Sequence, residues 1–442
     1  DDHLVPDAYE AMMNTLKKSG SDMVVAGAYR EKNGKAWLSA WTKKYHASDR
    51  IGITIEDYPE IFEDVVAWNK IWKIDFFREA VKSFPEGVKY EDQEPATLSY
   101  LRARSFDILQ KPVYYWLIRD DGSSITQGKE KIEDLRDRLT VLKASTQWVM
   151  EEASGPVRAG WFRKLIDGDL IQYLQVAPRT NQEYWDTLSA GLKNISELMG
   201  DQLWAEIPFW TRLPAWFASR GDKLATFDAL LWRSEHGSGV KMRSADQGFV
   251  IEASEFQNAL GEIPSNILQV GSDFIRPYSR VTGINRTDDF VVEISGYAYC
   301  EHLIDGSPLH ATLSLVSADG SKHVDLKEDS VPARRLSRFK SEVVDPGSAE
   351  FRVQVDTSSL DPEVVWNLAV QLKVGDETFD YPIGYPETTG AAPDNGFSAV
   401  DDGRRWCIKS TPGERLWFVS QATDPVAELT QTGERSFVLE TK

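Results

Sequence analysis

Carboxylates are concentrated in the stretch YEDQEP (90–95), directly before a segment with a helical pattern. Its acidic residues are Glu91, Asp92 and Glu94. The dipole of a helix favours a carboxylate near its first turn, so a helix start with solvated acids is one interpretation. A carboxylate held beside an alcohol can instead take the alcohol's proton as it attacks an electrophile. The stretch therefore predicts either a helix start or a general base.

A second stretch, RDDGSSIT (119–126), combines a cation with hydroxyl groups. The guanidinium of Arg119 and the hydroxyls of Ser124 and Thr126, together with backbone N–H groups, suit phosphate oxygens. A surface turn has the same composition. The stretch predicts either a phosphate-binding loop or an ordinary turn.

Two adjacent acids, Asp1 and Asp2, open the sequence. Carboxylates close in sequence can hold Mg²⁺ or Mn²⁺ against the phosphates of a substrate. Two acids at this position are otherwise unremarkable in composition. The six histidines are scattered without ligand spacing, so the sequence gives no reason to expect a zinc site.

The elements that must position these residues alternate between helix and strand patterns up to about residue 127, which predicts an α/β region. The segment from Ala8 to Leu16 is amphipathic and Gly20 ends it. The other predicted elements are a buried strand at 23–29 with its partner at 35–41, helices at 56–72, 75–80 and 95–104, and a strand at 112–120.

The pattern changes twice further along the chain. Residues 128–265 predict long amphipathic helices, with a broken helical connection at 207–217 where two prolines occur. Residues 266–442 show strict alternation, for example from Trp366 to Val374, which predicts an antiparallel β-sandwich. The predicted domains are therefore 1–127, 128–265 and 266–442.

The composition excludes some classes of protein. A net charge of −19 argues against general nucleic-acid binding. No run approaches the roughly 18 apolar residues that a transmembrane helix needs. Two cysteines are too few for a disulfide framework, so a reducing compartment is expected.

Four motifs in the first 127 residues, taken in order, resemble the family 2 glycosyltransferases of the GT-A fold, and most closely the bacterial type that builds wall teichoic acid and capsule. DDHLVPDA (1–8) is similar to the second part of that family's D-x-D-D-x-L-x-P-x-A motif. WNKIW (68–72) resembles its W-N-K-L segment, Glu91–Asp92 its acidic pair before a helix, and 119–126 its R-x-x-x-S-I-T loop. The run IWKIDFF and the extra acid Glu94 depart from the pattern.

The resemblance implies an inverting sugar transfer from a nucleotide-sugar donor to an acceptor hydroxyl. Asp92 would be the general base, with Glu91 supporting it. Asp1 would bind Mg²⁺ or Mn²⁺ at the leaving diphosphate. The diphosphate would also be held by three side chains, those of Arg119, Ser124 and Thr126.

The resemblance places the sugar or the acceptor near Asn69 and Lys70, although Lys70 could equally be a structural ion-pair lysine. Lys44 and His46, with Lys43, form a compact basic group that would grip an anionic or glycan polymer acceptor. An exposed strand end is the other interpretation of that group.

The same resemblance implies that the nucleotide-binding half of the catalytic domain precedes these residues, so this chain is expected to be an inactive fragment on its own. It also implies cytoplasmic work at the inner face of the cytoplasmic membrane, with peripheral association. The β-sandwich resembles accessory domains that serve oligomerisation or acceptor binding. A non-catalytic carbohydrate-binding or oligomerisation protein is the alternative function.

Overall fold

The protein is described by a computed structural model in which the chain divides into two compact units, Asp1–Glu235 with Ser254–Leu268 and His236–Ala253 with Gln269–Lys442. The predicted domain boundaries stay predictions. The described residues are 2–118, 128–236, 240–246, 248–254, 256, 263–288, 290–300, 302–303, 309–326, 349–374, 377–383, 398–399, 404–411, 415–422, 429–432 and 436–439.

The first unit begins with a six-stranded sheet in which the two central strands, β2 and β6, run parallel while the other pairings are antiparallel. Its strands are His3–Leu4 (β1), Met23–Lys32 (β2), Lys35–Leu38 (β3), Arg50–Ile53 (β4), Lys70–Trp72 (β5) and Phe106–Leu117 (β6). Four strands follow the order β1-β6-β2-β3, β4 pairs with β6, and β5 pairs with β2.

The apolar run predicted at 23–29 forms the central strand because side chains on both of its faces are buried. The helices of this part are Ala8–Ser19 (α1), Ala40–Tyr45 (α2), Ile74–Phe76 (α3, continued by a π-helical turn Phe77–Val81) and Gln93–Arg102 (α4). Helix α1 lays Ala8, Met12 and Leu16 on Val24 of the sheet. It ends at Gly20, whose positive φ of 73° suits a residue without Cβ.

The predicted helix at 56–72 is wrong. Only the 3₁₀ turn Pro59–Glu63 is helical there, and β5 begins at Lys70. The polar side chains of Asp64, Asn69 and Lys70 are buried against one another in this stretch instead of lying along a helix. The predicted strand at 35–41 is shorter than expected, because the hydroxyl of Ser39 accepts the Thr42 N–H at 2.9 Å and starts α2.

Long helices follow residue 128, as predicted. They are Ile132–Glu152 (α5), Gly155–Arg163 (α6), Ile171–Val176 (α7), Gln182–Met199 (α8), Phe209–Ser219 (α9), Lys223–His236 (α10) and Ser265–Leu268 (α11), with a π-helical segment Lys164–Leu170 and 3₁₀ turns Ala177–Arg179 and Asp201–Glu206. The predicted break at 207–217 is wrong, because α9 continues through Pro214. Nearly every side chain of α9 is buried, and this burial offsets the hydrogen bond lost at proline.

Among the described residues, no helix has the length and apolar character to cross a membrane.

The second unit contains antiparallel strands, and the predicted fold class is confirmed: an α/β part, a helical region and a C-terminal antiparallel β part. Alternate residues of the strand from Trp366 to Val374 are buried, as the sequence pattern predicts. The strands are Met242–Ser244 (β7), Phe249–Ile251 (β8), Gln269–Val270 (β9), Pro277–Arg286 (β10), Val291–Cys300 (β11), Leu309–Ser317 (β12), His323–Asp325 (β13), Ala349–Asp356 (β14), Trp366–Val374 (β15), Glu377–Pro382 (β16), Ser398–Ala399 (β17), Arg404–Thr411 (β18), Arg415–Ala422 (β19), Leu429–Thr432 (β20) and Ser436–Leu439 (β21).

Candidate active site

Asp92 stands at the start of α4, as the sequence predicts for this acidic stretch. It is the N-cap residue, yet its side chain makes no cap hydrogen bond to the helix. The side chain is half-buried, whereas that of its neighbour Glu91 is exposed. The carboxylate of Asp92 is therefore not used to hold the end of its own helix.

The surroundings of Asp92 raise its affinity for a proton. Burial and the negative charge of Glu91 raise the pKa of Asp92 to about 6, against the opposing effect of the nearby cations Lys70 and Arg138. A carboxyl with this pKa is ionised at neutral pH and binds a proton more tightly than an ordinary aspartate does. This is the property expected of a general base that works near pH 7.

Asp64 is the centre of a second polar group, which lies on the segment leading into β5. Its buried carboxylate accepts a hydrogen bond from Lys70 Nζ at 2.5 Å and from Asn69 Nδ2 at 2.9 Å, and it lies 2.8 Å from His46 Nε2. The Tyr100 hydroxyl donates to the Asp64 backbone carbonyl at 3.0 Å. We call these five residues the Asp64 hub.

The Asp64 hub contains Asn69 and Lys70, two residues that were predicted to lie near the sugar or the acceptor. Lys70 also donates to the Val66 carbonyl at 2.7 Å, and the Asn69 amide donates to the Ala26 carbonyl at 2.7 Å. Both side chains are buried among protein groups. Of the two interpretations of Lys70, the structural ion pair is the one that this geometry favours.

The predicted basic group at 43–46 is divided by the structure. Lys44 is exposed, and its ammonium lies 4.9 Å from the ring centre of Tyr45. His46 is only 1% exposed, and its second ring nitrogen, Nδ1, lies 3.2 Å from the Leu109 carbonyl. Because both nitrogens of His46 have protein partners, this residue supports Asp64 and has no free face for an acceptor. The compact basic group was therefore a wrong expectation as far as His46 is concerned.

Asp64 was missed by sequence reasoning because its segment was assigned to a helix. The chain places Asp64, Asn69 and Lys70 within seven residues, and this combination of acid, amide and cation is the signal that could have found it. Aromatic and cationic side chains also pack together in this unit. The Trp68 ring stacks on Tyr114 at 4.1 Å, and the Arg30 guanidinium lies 3.3 Å from the ring centre of Trp116.

The predicted metal ligand and the three predicted diphosphate-binding residues lie outside the described residues, so their contacts stay predictions. They are Asp1, Arg119, Ser124 and Thr126. The carboxylate of Asp2 accepts the Leu117 N–H at 2.9 Å and the Tyr114 hydroxyl at 3.2 Å. Within the described part of the chain, no three acids, histidines or cysteines come together as a metal site.

Comparison with known proteins shows which solved structures have a fold similar to that of this chain. No family model and no curated protein matches this sequence. Among solved structures, S. aureus TarS is similar over 99% of this chain and 72% of its own, with 13% identity and a TM-score of 0.50. The chain shares the fold of TarS. S. aureus TarS 1–349 in complex with UDP-GlcNAc also matches, over 57% of this chain and 70% of its own, with 14% identity and a TM-score of 0.45.

Proposed function

We propose that this chain belongs to a glycosyltransferase that passes a sugar from a nucleotide-sugar donor to a hydroxyl of a cell-surface polymer. TarS, whose fold the chain shares, is a teichoic acid glycosyltransferase, which supports this class of reaction. The observation that carries the proposal is Asp92, a half-buried carboxylate with a raised pKa at the position where the family motif puts its acidic pair.

In the proposed reaction, Asp92 accepts the proton of the acceptor hydroxyl while the oxygen attacks the anomeric carbon. A carbon–oxygen bond forms to the acceptor, the bond from the anomeric carbon to the diphosphate breaks, and the nucleoside diphosphate leaves with the bonding electrons. Attack from the face opposite the leaving group inverts the anomeric centre. Glu91 supports the step through its charge, which raises the proton affinity of Asp92.

The remaining parts of the proposal concern groups that bind rather than react. Asp1 is the proposed ligand of Mg²⁺ or Mn²⁺, and the loop residues Arg119, Ser124 and Thr126 are proposed to hold the diphosphate. Lys44, which is exposed, stays a candidate for contact with an anionic acceptor. Peripheral attachment to the inner face of the membrane and self-association through the C-terminal part stay predictions.

Asp92→Asn in the full-length protein tests the proposal. Replacing the base by an amide of equal size should lower the rate of sugar transfer by about 10²–10⁴-fold, because general-base catalysis contributes that much. Release of UDP from UDP-GlcNAc in the presence of purified teichoic acid measures the rate. A separate sedimentation assay measures binding of the protein to the polymer, which should be retained.

The matched control is Asp75→Asn, the same chemical change at an exposed position. It should leave the rate unchanged. A wild-type rate in Asp92→Asn at pH 7.5 would show that Asp92 is not the base.

A further inference from the structure

The segment that carries Asp92 is attached on both sides to the helical region. Tyr90 precedes Asp92 and has a positive φ of 64°, a conformation that a tyrosine rarely adopts and that requires support from its surroundings. Gln93 follows Asp92 and is fully buried. Both side chains make hydrogen bonds to residues between 129 and 173, which lie far from them in sequence.

Tyr90 is held through its hydroxyl. It donates to Asp134 Oδ2 at 2.9 Å and accepts from Lys129 Nζ at 2.7 Å. The Tyr173 hydroxyl donates to the same oxygen of Asp134 at 2.7 Å. Asp134 is 1% exposed, so these bonds form away from water and are stronger for it.

Gln93 is held through its side-chain carbonyl. Lys164 Nζ donates to Gln93 Oε1 at 2.6 Å and to Asp169 Oδ2 at 2.6 Å, and Asp169 also pairs with Arg138. The Arg138 guanidinium lies 4.5 Å from the ring centre of Tyr90, which joins the two halves of the network. We call Tyr90, Gln93, Asp134, Arg138, Lys164 and Asp169 the clamp.

We propose that the clamp fixes the backbone on both sides of Asp92 so that its carboxylate is presented to the acceptor hydroxyl, which makes Asp134 and Asp169 positioning residues. This inference rests on the proposed function, because it assigns the clamp a role in the same reaction. The cap position of Asp92 makes no side-chain hydrogen bond to its own helix, so the helix start does not orient its carboxylate. The orientation must come from the residues beside it.

The clamp also belongs to the electrostatic surroundings of Asp92. The charged groups that act on it are Glu91, Lys70 and Arg138. Only Arg138 is part of the clamp, and it favours the ionised carboxylate. Loosening the clamp would admit water to a half-buried group, so the carboxyl should become more acidic.

Tyr90→Phe is the most direct test, because it removes the hydroxyl and keeps the ring beneath Arg138. In the full-length protein we expect kcat to fall roughly 10- to 100-fold, since small misplacements of a catalytic group have effects of this size. KM for the nucleotide sugar should not change. The pKa of Asp92, followed by ¹³C NMR on aspartate-labelled protein, should move from about 6 toward the ordinary value of 3.8.

The matched control is Arg136→Ala on α5, the helix that carries Asp134 and Arg138 of the clamp. It removes an exposed ion pair between α5 and α8, with Glu183 at 2.7 Å, and Arg136 is not part of the clamp. It should leave kcat and the pKa of Asp92 unchanged. Asp134→Asn serves as a second clamp variant, with the same expected direction, if Tyr90→Phe folds poorly.

Combining Tyr90→Phe with Asp92→Asn separates positioning from general stability. If the clamp acts through Asp92, the double variant should be as slow as Asp92→Asn alone. A further loss of the same factor in the double variant would overturn the proposal, as would an unchanged pKa in Tyr90→Phe. A shifted pKa with undiminished sugar transfer would support the clamp and contradict Asp92 as the base.

Discussion

Two carboxylates of the first unit, Asp64 and Asp92, interact with the same cation, Lys70, and behave in opposite ways. Asp64 is completely buried, and although burial opposes its ionised form, Lys70 and His46 hold its pKa below the ordinary value. Asp92 is only half-buried, yet its pKa is raised, because burial and Glu91 outweigh the cations around it.

The comparison teaches that partners, rather than depth, decide what a buried carboxylate can do. Asp64 accepts hydrogen bonds from two side chains and lies beside a third, so its ionised form is fixed and it holds three segments together. Asp92 makes no cap hydrogen bond, and its raised pKa allows it to bind and release a proton near neutral pH. The first arrangement suits structure, and the second suits proton transfer.

The largest expected effect concerns Asp64. Asp64→Ala leaves Lys70 buried without its counter-ion and should lower the free energy of unfolding by about 3–5 kcal/mol, the usual result of breaking a buried pair. Urea denaturation at pH 7 measures this change. Asp75→Ala, at an exposed site, should change it by less than about 0.5 kcal/mol. A loss below about 1 kcal/mol for Asp64→Ala would contradict a structural role for the Asp64 hub.

Asp92→Asn should have the opposite effect on stability. The folded-state pKa of about 6 lies above the ordinary value of 3.8, so the folded protein binds this proton more tightly than the unfolded chain does. Ionisation of Asp92 therefore reduces stability as the pH rises from about 4 to 6. The variant should be about 1–3 kcal/mol more stable than the wild type at pH 8, and the gain should disappear near pH 4.

Chemical denaturation at the two pH values measures this difference. Asp64→Asn sharpens the comparison, because the lowered pKa of Asp64 predicts a loss at pH 8 that shrinks as the pH falls through its ordinary titration range. If Asp92→Asn were destabilising at pH 8 and neutral at pH 4, Asp92 would belong with Asp64 as a structural carboxylate.

Glu91→Gln should have the smallest effect. Removing the exposed negative charge beside Asp92 lowers the pKa of Asp92, so the acidic limb of the pH–rate profile should move to lower pH. The shift should be less than about one pH unit and should diminish in high salt, because solvent screens an exposed charge. Glu86→Gln, which removes an exposed charge nearby in sequence, should leave the profile in place.

The sequence was sufficient for elements whose side chains alternate or cluster by polarity. The central strand from Met23 and the strand from Trp366 were predicted from apolar residues, and the helix start at Asp92 from its acids. The helix predicted over 56–72 failed because Asp64, Asn69 and Lys70 are buried against one another in a stretch that is not helical. Polarity alone does not distinguish a charge that faces water from one that is buried with its partner.

The site was predictable only in its local part. The acidic pair at Glu91 and Asp92 is visible as a motif, whereas its support by Asp134 depends on contacts between residues 44 positions apart. His46 was assigned to an exposed basic group because its neighbours are lysines, and its burial against Asp64 depends on the fold of a later segment. Long-range pairings of this kind leave no periodic pattern in the chain.

The parallel pairing of the two central strands has a consequence for how the protein is made. Met23 lies opposite Phe106, so one edge of the buried strand β2 must wait for 83 further residues (106 minus 23) to leave the ribosome. At ordinary rates of translation this delay is roughly 4–16 seconds. During biosynthesis the nascent chain therefore presents an open, apolar template to other chains, and we expect its yield in cells to depend on chaperones that shield it.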